Sequence, residues 1–100
     1  MDQRTELLLR ILGDMQINND IIESTKAAEV LFKAGNDNKL PMRRVAQAPF
    51  FVLRGTGMPA VLLEMGFISN VNEAKLLGNG GYQQKIADSM TQGIYNYLRQ

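Results

Sequence analysis

Neither cysteine nor histidine occurs among the 100 residues. Without cysteine there can be no disulfide, no thiolate zinc site and no cysteine nucleophile. Without histidine the commonest general base and the commonest metal ligand are both gone. Ten acidic residues remain as potential ligands, and oxygen donors alone suit a hard cation better than zinc. No apolar run approaches the roughly 18 residues of a membrane span. The net charge of +1 gives no electrostatic reason to expect nucleic acid or an anionic membrane as the main partner. The polar start, Met1-Asp-Gln-Arg-Thr-Glu6, is followed by only three leucines before Arg10, so no signal peptide is expected in this chain.

What is present suits one domain at most. A hydrophobic content of 45% suffices for a core, and 21% charged residues argues against disorder. The most informative stretch is Met58-Pro-Ala-Val-Leu-Leu-Glu-Met-Gly-Phe-Ile-Ser-Asn70. Residues 60–63 are apolar without alternation, the pattern of a strand buried on both faces. Glu64 ends that run with no polar neighbour. Charging a carboxylate there costs several kcal/mol unless water, a cation or hydrogen-bond donors reach it. In open α/β sheets, ligand sites form at the carboxyl ends of strands, which makes Glu64 the first candidate for chemistry.

The rest of the chain frames that segment. Thr5 can cap a first helix whose stripe is Leu8, Ile11, Leu12 and Met15. Gly13 and the run Asn18-Asn19-Asp20 weaken it, and Asn19 or Asp20 can cap a second helix; propensity does not decide between two helices and one bent one. Gly35 to Lys39 read as a turn and 34–48 as a loop. Residues 50–53 are rich in strand formers, and a five-residue link to 60–63 implies antiparallel pairing if the two pair directly. Arg54 would then lie at the turn, about 16 Å from Glu64 at 3.3 Å per residue, too far to pair with it. Asn70 and Glu73 suggest a capping box opening a short helix, and a last helix spans about 82–98. The expected class is α/β, ordered helix-helix-strand-strand-helix-helix. Two strands do not make a stable sheet, so the chain is expected to be part of a larger one.

The stretch Phe50-Phe-Val-Leu-Arg54, a short turn and the 58–70 block resemble the zinc-dependent N-acetylmuramoyl-L-alanine amidases, whose catalytic domain has a phosphorylase/hydrolase-like α/β fold. The likeness continues through Glu73, Leu76, Leu77, Tyr82-Gln83, Ile86-Ala87, Gly93-Ile94 and Tyr97, is good over 43–98 and looser over 7–34. It implies hydrolysis of the amide joining N-acetylmuramic acid to L-alanine in peptidoglycan, outside the cytoplasm, in the periplasm or extracellular space. In that family a histidine, a glutamate and a second histidine hold zinc, and a later glutamate works with the metal-bound water. Glu64 falls on that later glutamate and is the one catalytic residue carried over. The zinc ligands precede the matched region, so none is carried over. On this resemblance residues 1–100 are the carboxyl-terminal half of an amidase domain, partnered by the missing metal-binding half and expected to be inactive alone.

Plainer readings stand beside these. Gly55-Thr-Gly57 is read as a hairpin turn rather than a phosphate loop, because it joins two strands instead of opening a helix. Arg43-Arg44 is read as a solvated loop face, the methionines as core filler, and Ser69 lacks a base beside it. Tyr95 and Tyr97 fall on different sides of the last helix. The competing function is a non-catalytic, degenerate domain that binds peptidoglycan or a partner amidase.

Overall fold

The computed structural model describes residues 2–45 and 56–100. Its elements are α1 (Gln3–Asp37), α2 (Val71–Leu77) and α3 (Gly80–Leu98). Among the described residues there is no strand, so the expected α/β arrangement is corrected to a helical one. The first expected strand, 50–53, lies outside the described residues together with Ala46, Arg54 and Gly55. The second expected strand, 60–63, has no ladder partner among the described residues. Its first amide, Ala60 N, donates instead to Ser24 Oγ on α1 at 2.8 Å. Strand propensity reflects packing against neighbouring strands more than any backbone preference. Without those neighbours, Leu62 and Leu63 stay 39% and 36% exposed, where burial on both faces was expected.

One helix takes the place of the two that could have occupied 3–37. It is capped by Asp2, whose carboxylate accepts from Thr5 N at 2.9 Å; Thr5 therefore sits inside the first turn rather than capping it. Gly13 costs about 1 kcal/mol relative to alanine and the Asn-Asn-Asp run less than that per residue. Side-chain bonds one turn apart help to offset this: Gln16 Nε2 to Asp20 Oδ1 at 3.0 Å and Lys33 Nζ to Asp37 Oδ2 at 2.9 Å. The helix passes through the expected turn at 35–37 and stops where Asn38 N donates to Ala34 O. Lys39 then takes a left-handed conformation, φ 62°.

α1 packs on α3, and α2 on α3. The two long helices run antiparallel: Asn38 Nδ2 reaches Gln92 Oε1 at 3.1 Å, and Tyr97 Oη donates to Glu23 Oε2 at 2.7 Å. Between those bonds the contact is close. A Cβ on Gly93 would stand 2.6 Å from Leu31 Cδ2 and 3.1 Å from Leu31 Cα. Ser89 and Gly93 are the buried residues of α3, while Ile94 and Leu98 are 53% and 73% exposed. The core is small. Of the described hydrophobic residues, Ala34 and Leu40 are fully buried.

At about 1.5 Å per residue, α1 is far longer than α3, and its first half extends past the packed region. Leu7, Leu8, Leu9, Ile11, Leu12, Met15 and Ile17 in that half are all exposed. At about 100° per residue, exposed apolar side chains occur on every side of this part of the helix, Leu9 on the same side as Ala27 and Leu12 close to the side of Ala34.

Candidate functional site

Glu64 follows the extended segment and precedes the turn into α2. Its side chain is exposed, at the lip of a cleft of about 50 Å³. The walls come from three places: Leu40, Pro41 and Met42 after α1; Leu63 and Met65 beside the carboxylate; and Tyr82, Ile86 and Met90 from α3. Glu64 has no ion pair or hydrogen-bond partner among the described residues. It is thus a solvated carboxylate against an apolar wall. A cleft of this size admits a few waters, and small-molecule pockets are several times larger.

The turn that carries Glu64 is held from α2. Asn70 caps α2 as expected, accepting from Glu73 N at 3.0 Å. The Glu73 carboxylate does not return to the Asn70 amide, as a capping box would have it. That amide is taken by Phe67 O at 3.1 Å. Glu73 Oε2 instead accepts from Phe67 N at 2.9 Å, and Oε1 pairs with Arg43 Nη2 at 2.5 Å. The Arg43 guanidinium also stands 5.8 Å from the centre of the Phe67 ring. Gly66 makes the turn possible with φ 136°, a conformation that side-chain-bearing residues rarely adopt. Arg43 is 70% exposed, so its ion pair alone is worth at most about 1 kcal/mol. The amide bond to a charged acceptor is the stronger restraint. The reading of Arg43 as a purely solvated loop residue is therefore corrected. Nothing in local spacing signals the pair, because its members are 30 residues apart.

A second, shallower hollow is lined by Glu23, Lys26, Tyr97, Leu98 and Gln100. The hydrogen bond from Tyr97, assisted by one from Lys26, holds the Glu23 carboxyl below its ordinary range, and donating that bond to Glu23 pushes the Tyr97 phenol up. Tyr95 instead lies under Arg99, 5.2 Å from the guanidinium, so the two tyrosines share no platform.

Zinc does not fit the residues present. The sequence offers no histidine or cysteine, and no three acidic side chains among the described residues converge on a point that could hold an ion.

The model of a family described as N-acetylmuramoyl-L-alanine amidase matches residues 12–96. The chain belongs to that family. Among named relatives, the N-acetylmuramoyl-L-alanine amidase AmiA of Escherichia coli (strain K12) is 35% identical over 97 residues, covering 95% of this chain and 33% of the relative. AmiC of Escherichia coli O6:H1 is 41% identical over 86 residues, 85% of this chain and 21% of that protein. A germination-specific N-acetylmuramoyl-L-alanine amidase of Bacillus subtilis is 42% identical over 48 residues, 48% of this chain and 20% of the relative. The chain spans about a third or less of the length of these relatives. No solved structure matches it significantly.

Proposed function

We propose that these residues form the carboxyl-terminal half of a peptidoglycan amidase domain that cleaves the amide between N-acetylmuramic acid and L-alanine, with Glu64 as its general base and acid. The observation that carries the reading is the family match through residues 12–96 together with an unpaired Glu64 at the lip of the apolar cleft. A carboxylate so placed takes a proton from the attacking water and returns it to the leaving amine of L-alanine. A positioned acid–base group of this kind contributes about 10² to 10⁴-fold in rate. The zinc that the family resemblance implies would be held by residues outside this chain, and a peptidoglycan substrate would call for the complete protein to act in the periplasm or outside the cell. Exposed apolar side chains from Leu7 to Ile22 and at Leu62, Leu63, Met65, Phe67 and Ile68 support the view that further protein covers this fragment.

The test is release of soluble fragments from purified sacculi by the amidase that contains this sequence. Glu64→Gln, which keeps shape and removes the ionisable group, is expected to lower the rate by about 10²-fold or more. A variant as active as the parent sinks the assignment. The 100-residue chain alone is expected to leave sacculi intact with or without added zinc.

A further inference from the structure

We propose that Glu73 is a positioning residue for Glu64, acting with Arg43 as a clamp that joins the two loop walls of the cleft. The inference rests on Glu64 being the reactive carboxylate. Arg43 follows Met42, and Phe67 follows Met65 by two residues; Met42 and Met65 both line the cleft beside Glu64. The Glu73 carboxylate holds one wall through each oxygen, Oε1 through Arg43 Nη2 and Oε2 through Phe67 N. It is itself anchored in the first turn of α2, where its amide is capped by Asn70.

The geometry leaves Glu64 few other restraints. Its own carboxylate has no partner among the described residues, and residues 60–63 lack a ladder. Between Glu64 and α2 the backbone passes through Gly66 at φ 136°, the most permissive residue type in the chain. A glycine at that point would let Glu64 swing away from the cleft unless the next amide were tethered. The Phe67 N–H is that next amide, and Glu73 is its tether. The Arg43 guanidinium lies over the Phe67 ring as well, so the same cation engages both the carboxylate and the residue that the carboxylate holds. The function of Glu73 is therefore reach across the cleft, where a local helix cap was expected. It touches no reacting atom and works through the backbone that carries Glu64.

Two measurements test this. In the 100-residue chain, Glu73→Ala is expected to speed hydrogen exchange at the Phe67 amide roughly tenfold or more, with exchange at Leu31 and Gly93 in the α1–α3 contact unchanged. In the complete amidase, the same substitution is expected to lower kcat by about 10²-fold at nearly constant KM, the mark of a displaced reacting group. Glu73→Gln, which can still accept from Phe67 N but loses the charge facing Arg43, should fall between parent and alanine variant in both. Arg43→Lys should retain more activity than Arg43→Met. Unchanged Phe67 exchange, or unchanged kcat in a folded Glu73→Ala amidase, overturns the clamp. If the 100-residue chain does not fold, the amidase kinetics decide alone. If Glu64→Gln is fully active while Glu73→Ala still frees Phe67, the tether stands as architecture and the catalytic reading of Glu64 fails.

Discussion

Three single positions show how differently one residue can matter here. Gly93 matters through what it lacks: the hydrogen in place of a Cβ lets α3 meet the backbone of α1 at Leu31. Alanine is intrinsically better in a helix by about 1 kcal/mol, yet here its methyl would press on Leu31 Cα, a main-chain atom that does not rotate away. Overpacking of this kind costs about 1–3 kcal/mol, so Gly93→Ala is expected to lower the midpoint of thermal unfolding, and Gly93→Val to lower it further. Asn70 matters through one bond, to Glu73 N; Asn70→Ala is expected to destabilise by about 1 kcal/mol, seen as a lower denaturant midpoint. Glu64, proposed as the acid–base group, has no bond to lose among the described residues, so Glu64→Gln should leave stability almost unchanged while lowering activity. At this scale the sequence was partly legible. Glu64 and Asn70 stand out from their immediate neighbours, because an isolated carboxylate and a cap are local patterns. Gly93, Ser89 and the Arg43–Glu73 pair do not, because each is defined by a contact distant in sequence.

At the scale of elements, α1 and α3 are joined by a polar bond whose strength depends on pH. Glu23 in the folded chain is held below its ordinary value near 4.5, and Tyr97 above its ordinary value near 10.0. The Glu23 contribution is fully present above pH 4.5 and fades as pH falls through the lowered folded value. The Tyr97 contribution is present below pH 10 and fades as pH rises through the raised folded value. Both groups are close to solvent, so the effect is small. Tyr97→Phe is expected to flatten both limbs of a plot of unfolding midpoint against pH; equal slopes in parent and variant would count against the bond. α3 was read close to its observed bounds, and α2 was marked by the Asn70 cap. The extent of α1 was not, because Gly13, the Asn-Asn-Asp run and Gly35 are each poor helix formers that tertiary contacts and i,i+4 bonds override. The strand at 60–63 was misread for a related reason: an apolar run records that a segment is to be covered, and leaves open what covers it.

For the whole molecule, the decisive property is how little of the apolar surface is enclosed. A chain with 45% hydrophobic residues fully buries two of the described ones, Ala34 and Leu40, where a domain of this length normally encloses far more. Contiguous apolar patches on an isolated monomer drive association. The 100-residue chain is therefore expected to bind a hydrophobic dye and to grow in apparent mass with concentration. Supplying the rest of the amidase should suppress both. A monomer that stays dye-silent at high concentration would contradict this view. A larger sheet around the apolar run at 60–63 was expected from the sequence, whereas the exposure of so much apolar surface was not legible, because composition alone suffices for a core.

The meeting of Gly93 with Leu31 also fixes a register. Sliding α3 along α1 by one turn, about 5.4 Å, would bring Ser89 or Tyr97 to the point of closest approach. Ser89 carries the Cβ that the gap refuses, and Tyr97 carries a whole ring. The pair therefore has one notch. Tyr82, Ile86 and Met90 ride on the same helix, so the missing methyl at position 93 sets how far the floor beneath Glu64 stands from its far wall.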